Sequence, residues 1–405
     1  MSSDLLDKLT PYAERLKAFA GGAVPFDTVI EHISGPTEVV IGGQPTLMCG
    51  SNNYLGLSFH PAVISAARAA LEHDGAGTTG SRAANGTFAA HRRLEETFAG
   101  LYGKRRALVF TTGYQANLGM ISGLCGAEDA VVVDMESHAS IYDGAKLSGA
   151  QVYTFRHNSA ADLARKLSKL PNARRALVVV EGLYSISGDI APLADIVAAC
   201  KAAGAYVLVD EAHSFGVYGE QGLGCAEAQG VLGDIDFVTG TFSKTLAGIG
   251  GYCVSNHDAL KLLHFVTKPY VFTASGSPAN IAGVQAAIEV MRGNSTFRER
   301  LWDNVRRVRA GLLRLGFKIG ATESPIVPIE IGTADRAVGM WQALLASGLY
   351  ANIVLPPACK PDACLVRTSY SAAHTPEQID RALSIFEHVG RAMGVIEPQH
   401  EASPH

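Results

Sequence analysis

Short apolar runs that alternate with helical segments restrict the fold of this chain most strongly. From about residue 61, five β-rich runs are separated by segments whose apolar residues recur at helical spacing. The runs are Ala107–Thr111, Ala130–Asp134, Gln151–Phe155, Ala176–Glu181 and Ala205–Asp210, and the helical segments are 61–73, 88–102, 114–123, 139–147 and 192–203. Nearly continuous apolar strands between helices are typical of a parallel sheet covered on both faces. We therefore predict an α/β domain whose ligand site lies at the carboxyl ends of the strands.

The residues on either side of this domain show different sequence patterns. Residues 4–19 predict a helical arm, shortened or bent by Pro11, that packs on the body, on a partner subunit or on a membrane. A hairpin is expected over 38–49. Beyond residue 276 we predict a smaller α+β domain with helices at 277–315, 334–348 and 375–393 and strands at 317–320, 325–331 and 363–368. The predicted domains are 1–60, 61–276 and 277–395, with a disordered tail over 396–405.

Composition excludes several functional classes. The formal net charge of -4 on 405 residues gives no electrostatic reason to bind nucleic acid. Seven scattered cysteines without a Cys-x-x-Cys pair indicate reduced cytosolic thiols and no metal site. The polar N-terminus lacks the pattern of a signal peptide, and no stretch is apolar enough to span a bilayer. We expect a cytoplasmic protein, with peripheral contact to the inner membrane left open.

An acid and a lysine at two strand ends carry the chemical signal. Asp210 closes the apolar run 205–209, and Lys244 follows the later apolar run 235–239 within Gly-Thr-Phe-Ser-Lys. Pyridoxal phosphate needs this pair, because a lysine holds its aldehyde as a Schiff base and an acid keeps its pyridine nitrogen protonated. The sequence therefore predicts a pyridoxal-phosphate site with Lys244 and Asp210 in catalytic positions.

Gly113 and Tyr114 open a helix directly after a strand, where backbone N–H groups can bind a phosphate. An ordinary strand-to-helix turn is the alternative. Thr241 and Ser243 stand next to Lys244 and can supply hydroxyls to the same phosphate.

His138 opens the helix 139–147 and can stack on a flat cofactor, or it can serve only as a helix cap. His213 and Ser185 follow strand ends and can reach the phenolic oxygen of the cofactor. Arg367 lies in the strand 363–368 and suits a substrate carboxylate, with a surface ion pair as the alternative.

Several further segments carry a resemblance to a known family. They are Ser51–Gly56, Gly80–Arg82, Asn85–Thr87, Thr112–Tyr114, Ser137–Ser140, Asp210–Ser214 and Ala372–Thr375. With these motifs, from about residue 25 to 393, the chain resembles the α-oxoamine synthases, which are fold-type I pyridoxal-phosphate enzymes. The resemblance implies a large domain with a mostly parallel seven-stranded sheet and a smaller C-terminal α+β domain.

The resemblance also implies roles for single residues. Lys244 is similar to the Schiff-base lysine, Asp210 to the partner of the pyridinium and His138 to the catalytic histidine that stacks on the ring. The remaining cofactor-binding positions are Gly113, Tyr114, Ser185, His213, Thr241, Ser243 and Thr273. Thr273 is similar to a residue that reaches the phosphate of the neighbouring subunit, which implies a homodimer with active sites at the interface. Asn53, His138 and Arg367 match substrate-side positions.

Within the family, segments such as Gly35–Glu38, Ser140–Gly144 and Pro269–Ser275 are most similar to members that use L-serine. The implied reaction is a decarboxylative Claisen condensation of L-serine with a long-chain acyl-CoA, giving 3-ketodihydrosphingosine, CoA and carbon dioxide. Leu355 replaces an arginine that this pattern carries before Pro-Pro-Ala. A synthase that uses glycine or alanine with another acyl-CoA, a fold-type I aminotransferase and an inactive partner subunit are the alternatives.

Overall fold

The computed structural model describes residues 4–19 and 22–397. The chain divides into two compact units. The larger unit comprises Asn52–Ser185 and Asp189–Glu299, and the smaller unit comprises the residues up to Ser51, Ile186–Gly188 and the residues from Arg300 onwards. These limits differ from the predicted domain boundaries, because the helix 278–293 packs against the helix 61–74 inside the larger unit.

Fourteen strands occur in the described part of the chain. They are β1 (His32–Ile33), β2 (Glu38–Ile41), β3 (Gln44–Met48), β4 (Arg106–Phe110), β5 (Ala130–Asp134), β6 (Gln151–Phe155), β7 (Ala176–Glu181), β8 (Tyr206–Asp210), β9 (Phe237–Thr241), β10 (Gly251–Ser255), β11 (Ile326–Gly332), β12 (Leu349–Tyr350), β13 (Asn352–Val354) and β14 (Cys364–Ser369).

Fourteen α-helices accompany them in the same described residues. They are α1 (Thr10–Leu16), α2 (Pro61–Asp74), α3 (Ala89–Leu101), α4 (Gly113–Leu124), α5 (Ala139–Ser148), α6 (Ala160–Leu167), α7 (Leu193–Ala203), α8 (Cys225–Ala228), α9 (Leu260–Val266), α10 (Lys268–Val271), α11 (Pro278–Gly293), α12 (Thr296–Arg314), α13 (Ala334–Ala346) and α14 (Pro376–Ala392). None of the helices in this part of the chain has the length and apolar character needed to cross a membrane.

The larger unit is built on one seven-stranded sheet, in the order β4-β10-β9-β8-β7-β5-β6. The pairs from β9 to β6 are parallel, whereas β10 runs antiparallel to both β9 and β4. Every residue of β5, β7, β9 and β10 is buried, as expected for central strands between helical layers. The predicted α/β fold with a mostly parallel seven-stranded sheet is therefore confirmed.

The smaller unit contains two further sheets. One has the order β1-β2-β3-β12, and the other is antiparallel with the order β11-β14-β13. A buried apolar core packs these strands against α12, α13 and α14, and Ile396 belongs to this core. The predicted disordered tail therefore does not include Ile396, and its residues 398–405 lie outside the described part of the chain.

Three sequence predictions differ from the structure in detail. The helix predicted over 277–315 is two helices, because Asn294 leaves the helical conformation and its side chain accepts hydrogen bonds from Thr296. The segment 317–320 makes only an isolated bridge, from Ile319 to Ile329, and is not a strand. The arm over 4–19 contains a seven-residue α-helix flanked by 3-10 turns, and Pro11 stands at its second position.

Candidate active site

Three parallel strands of the larger unit end beside a cavity of about 290 Å³. β7 ends at Glu181, β8 at Asp210 and β9 at Thr241, and the ladder pairs Glu181 with Asp210. The cavity is lined by Thr112, Gly113, Tyr114, Asn117, His138, Ser140, Glu181, Asp210, Ala212, His213, Gly240, Thr241, Ser243, Lys244, Ile249 and Gly250. The carboxyl end of the sheet is thus the place where most of the predicted site residues meet.

Asp210 is a buried carboxylate held by two donors. Asn117 Nδ2 donates to Asp210 Oδ2 at 2.6 Å, and the backbone N–H of Ala212 donates to Oδ1 at 2.9 Å. The amide of Asn117 is oriented in turn, because Thr239 Oγ1 donates to its Oδ1 at 2.8 Å. A carboxylate fixed in this way suits a protonated ring nitrogen of a bound cofactor.

Lys244 lies in the connection 242–250 between β9 and β10, and its side chain is half-buried. The connection is anchored on both sides of the lysine. The backbone N–H of Phe242 donates to the carbonyl of Gly250 at 2.9 Å, and Thr245 Oγ1 donates to the carbonyl of Phe215 at 2.8 Å. The position of the lysine backbone is therefore determined by buried neighbours, and its side chain lines the cavity.

The start of α4 forms a glycine-lined cradle. Thr112 caps the helix by accepting from the backbone N–H of Gln115 at 3.1 Å. A Cβ on Gly113 would lie 2.6 Å from the Cβ of Thr241, so only glycine leaves this space open. The hydroxyls of Thr241 and Ser243 are 3.0 Å apart. Free N–H groups at a helix start together with two hydroxyls suit the phosphate of pyridoxal phosphate.

His138 is exposed to the cavity at the start of α5. Its backbone N–H donates to Glu181 Oε1 at 2.6 Å, and its ring meets the ring of Tyr114 at 78° with centroids 6.3 Å apart. Desolvation lowers the pKa of His138 below its usual value, although the charge of Asp210 opposes this effect. A neutral imidazole at this position suits contact with a flat cofactor ring.

Glu181 is a buried carboxyl group that the sequence reasoning missed. Burial, assisted by the nearby charge of Asp210, raises its pKa from 4.5 to about 8. A carboxyl group that is neutral near pH 7 adds no second negative charge beside Asp210. Its place as the last residue of β7, next to the end of β8, was a signal that could have identified it.

Asn117 and Ser140 were also missed, although both line the cavity. Asn117 lies one turn after Gly113 on α4, and Ser140 lies two residues after His138. Spacing from the predicted phosphate and cofactor residues was the available signal in both cases.

The other predicted cofactor residues occupy varied positions in the larger unit. His213 is buried, lines the cavity and shares a 2.7 Å hydrogen bond between its Nδ1 and Tyr54 Oη. Ser185 is half-buried a few residues after β7. Thr273 Oγ1 accepts from Gln115 Nε2 at 3.2 Å, close to the start of α4. Among the described lining residues of the cavity, neither Ser185 nor Thr273 occurs.

The predicted substrate residues are divided between the two units. Asn53, in the larger unit, donates from Nδ2 to Ser58 Oγ at 2.7 Å and is absent from the described cavity lining. Arg367 is buried on β14 of the smaller unit. Leu355, in the same unit, packs against apolar core residues. The substrate roles of Asn53 and Arg367 stay predictions.

Comparison with known proteins gives consistent results. The family model described as aminotransferase class I and II matches residues 46–386. The serine palmitoyltransferase of Caulobacter vibrioides is 48% identical, over 98% of this chain and 99% of that protein. A serine palmitoyltransferase structure solved with the PLP internal aldimine superimposes with a TM-score of 0.95 at 47% identity, covering 97% of this chain and 100% of the other. The 8-amino-7-oxononanoate synthase 1 of Bacillus velezensis is 36% identical, over 91% of this chain and 94% of that protein.

The matches extend over both compact units, and the lysine, the carboxylate and the glycine cradle stand around one cavity. The chain therefore belongs to the class I and II aminotransferase family and, within it, to the α-oxoamine synthases, the fold-type I pyridoxal-phosphate enzymes that include the bacterial serine palmitoyltransferases.

Proposed function

We propose that this protein catalyses the pyridoxal-phosphate-dependent decarboxylative condensation of L-serine with a long-chain acyl-CoA. The products are 3-ketodihydrosphingosine, CoA and carbon dioxide, which makes the reaction the first step of sphingolipid synthesis. The identity of 48% to the serine palmitoyltransferase of Caulobacter vibrioides, over 98% of this chain, carries the proposal. Lys244, Asp210 and His138 around one cavity support it, because an inactive partner subunit would not need them.

When bound, pyridoxal phosphate supplies an electron sink for the negative charge that develops at the Cα atom of the amino acid. Lys244 Nζ would hold the cofactor, and its displaced, neutral amine would accept the Cα proton, because Lys244 is the lysine among the described residues that line the cavity. Asp210 would keep a proton on the ring nitrogen of the bound cofactor, because Asn117 and Ala212 hold its carboxylate in place. Lys244 would thus move the Cα proton, while Asp210 would stabilise the proton on the ring nitrogen.

The remaining residues bind and orient. The N–H groups at Gly113 and Tyr114 and the hydroxyls of Thr241 and Ser243 would hold the phosphate. His213 and Ser185 are proposed for the phenolic oxygen. For the substrate we propose His138, Asn53 and Arg367.

The identity of the amino acid is the part of the proposal that Leu355 affects. Its side chain packs into apolar core and offers no charge to a carboxylate. A synthase that uses glycine or alanine is therefore the second candidate, and the identity of 36% to an 8-amino-7-oxononanoate synthase supports it less strongly than the values for serine palmitoyltransferases.

A substrate panel tests these alternatives directly. The purified holoenzyme is titrated with serine, glycine and alanine, acyl-CoAs of graded length are then added, and the product is identified by mass. A 3-keto amine from serine and a long acyl-CoA is expected. Formation of no product from this pair rejects the assignment. Amino transfer to a keto acid without use of the thioester instead identifies an aminotransferase.

We also propose that the protein is a homodimer with active sites at the subunit interface. Apolar side chains are exposed in α9 and next to the predicted interface residue Thr273: Phe265 in α9 is 70% exposed and Phe272 is 82% exposed. Large apolar groups at such exposure are typical of a surface that another chain covers. Phe272→Asp is expected to shift the sedimentation coefficient towards that of a monomer. Val152→Asp, on the edge strand β6, is the control and should leave the dimer intact.

We also propose a cytoplasmic location. The arm over residues 4–19 would make peripheral contact with the inner membrane. Leu5, Leu9, Tyr12 and Leu16 are each more than half exposed in the chain. Flotation with anionic liposomes tests this contact, and equal flotation of the wild type and a Leu5→Ser/Leu9→Ser variant would exclude the arm as its cause.

A further inference from the structure

A continuous hydrogen-bond chain joins Asp210 to the ring of His138. Asn117 Nδ2 donates to Asp210 Oδ2 at 2.6 Å and to Ser140 Oγ at 3.0 Å. Ser140 Oγ is in turn 2.8 Å from His138 Nδ1. The chain thus connects the two residues expected to meet the cofactor ring from different sides, and Asn117 and Ser140 are its middle members.

The direction of each bond follows from the chemistry of the groups. Thr239 Oγ1 lies 2.8 Å from Asn117 Oδ1, and a carboxylate accepts hydrogen bonds but does not donate them. If the amide of Asn117 were turned over, its oxygen would face the Asp210 carboxylate and two acceptors would be in contact. The NH₂ group of Asn117 therefore faces both Asp210 and Ser140.

This orientation determines where the proton of Ser140 goes. Ser140 Oγ already accepts from Asn117, so its hydroxyl is free to donate to His138 Nδ1. The backbone N–H of Ser140 points to the same nitrogen at 3.2 Å. Two donors directed at Nδ1 leave no room for a proton on it, so the ring carries its proton on Nε2. Among the described residues Nε2 has no hydrogen-bond partner, and the ring lines the cavity.

We propose that Asn117 and Ser140 are positioning residues that keep His138 neutral and protonated on Nε2, so that His138 meets the substrate as a hydrogen-bond donor and not as a base. The acceptor is an oxygen of the substrate carboxylate or of the thioester carbonyl. The identity of that oxygen rests on the proposed function, whereas the tautomer rests only on the contacts within this chain.

Protonation of His138 to the cation is opposed by the same contacts. A proton on Nδ1 would meet the backbone N–H of Ser140, and desolvation of the ring, followed by the positive charge of Lys244, also disfavours the cation. The charges of Asp210 and Asp143 favour the His138 cation. The Glu181 carboxyl group accepts the backbone N–H of His138. Ser140→Ala removes the hydroxyl donor, so the balance moves towards the other tautomer and the cation.

Nitrogen NMR of the holoenzyme tests the tautomer without any turnover. The protein is labelled with ¹⁵N-histidine, and the ring signals of His138 are assigned by their loss in His138→Gln. The unprotonated nitrogen resonates far downfield of the protonated one, so the two tautomers are distinguished directly. Nδ1 is expected to be the unprotonated nitrogen in the wild type. A proton on Nδ1 near pH 7 overturns the proposal, even if Ser140→Ala proves unstable.

Variants then test the hydrogen-bond chain from Asp210 to His138. Ser140→Ala should move the His138 signals towards the other tautomer or the cation and lower kcat by roughly 2- to 10-fold, the value of one hydrogen bond, with KM for the amino acid less affected. It should also shift the acidic limb of the kcat profile to higher pH. The control is Ser122→Ala, which removes a hydroxyl bonded to the carbonyl of Leu118 on α4 and should change none of these values.

The outcomes separate this inference from the proposed function. Unchanged His138 signals in a folded, cofactor-bound Ser140→Ala protein refute the positioning role, whichever substrate is used. A wild-type protein with Nδ1 unprotonated and altered signals in Ser140→Ala supports the role, even if serine proves not to be the substrate.

Discussion

Replacement of Glu181 by glutamine should remove a large pH dependence from the stability of the protein. The carboxyl group is 3% exposed and accepts the backbone N–H of His138 at 2.6 Å. Burial and Asp210 raise its pKa from 4.5 to about 8. Glutamine keeps an acceptor for the N–H of His138 and brings no charge, so Glu181→Gln changes the ionisation and retains the contact.

The sign and size of the effect follow from the two pKa values. The native state binds the proton of Glu181 more tightly than the unfolded chain does. Its contribution to stability is therefore complete below about pH 4.5 and is lost as the pH rises towards 8. A full difference of one bound proton changes the free energy of unfolding by about 1.4 kcal/mol per pH unit. Between pH 6 and pH 8 the wild type should lose about 2 kcal/mol more than Glu181→Gln.

Urea unfolding of the apoenzyme at a series of pH values measures this difference, because Lys244 then carries its free amine in both proteins. The wild type and Glu181→Gln should be closest in stability at acidic pH and diverge as the pH rises. Glu96→Gln, which changes an exposed carboxylate on α3, is the control and should follow the wild-type curve. Parallel curves for the wild type and Glu181→Gln would refute the raised pKa and the neutral role assigned to this residue.

Three further variants address the cofactor site. Lys244→Ala should eliminate turnover and the visible absorbance of the lysine-bound cofactor, and full activity would contradict the assignment. Asp210→Asn should weaken cofactor retention and lower kcat strongly, and an unchanged rate would mean that the ring nitrogen has another partner. Gly113→Ala places a Cβ 2.6 Å from Thr241 and should weaken cofactor affinity by about 1 to 3 kcal/mol, as measured by cofactor titration. Gly126→Ala is its control, because the nearest atom there is 3.8 Å away, and equal losses in both variants would exclude a specific cradle.

The parallel part of the sheet was predictable because β5, β7 and β8 are continuous apolar runs flanked by helical periodicity. β10 was not predicted, since Gly251–Ser255 is short, contains glycine and serine, and is not separated from β9 by a helix. Its burial comes from antiparallel pairing on both sides, which no local pattern in the sequence reveals. The break at Asn294 was missed because the apolar spacing continues through it, whereas the side chain of Asn294 competes for the backbone.

Part of the candidate site could likewise be predicted from the sequence, and part of it could not. Lys244, Asp210 and His138 were predicted as site residues from their residue types and their positions after strands or at a helix start, and all three line one cavity. Asn117 and Glu181 escaped because a strand or helix pattern does not show which polar side chain faces a cavity. Their importance depends on contacts with Asp210 and His138 that only the folded chain brings together.

The connection that carries Lys244 has a consequence for the rate of the reaction. Thr241 and Gly251 are paired across the ladder, so the connection is tied at both ends to neighbouring strands of a buried sheet. Because the backbone on both sides of Lys244 is anchored, movement of its amine in the proposed reaction would come from rotation of the side chain. In the proposed reaction the amine would therefore act as an intramolecular reagent at a high effective concentration, because folding already holds this base close to the Cα proton.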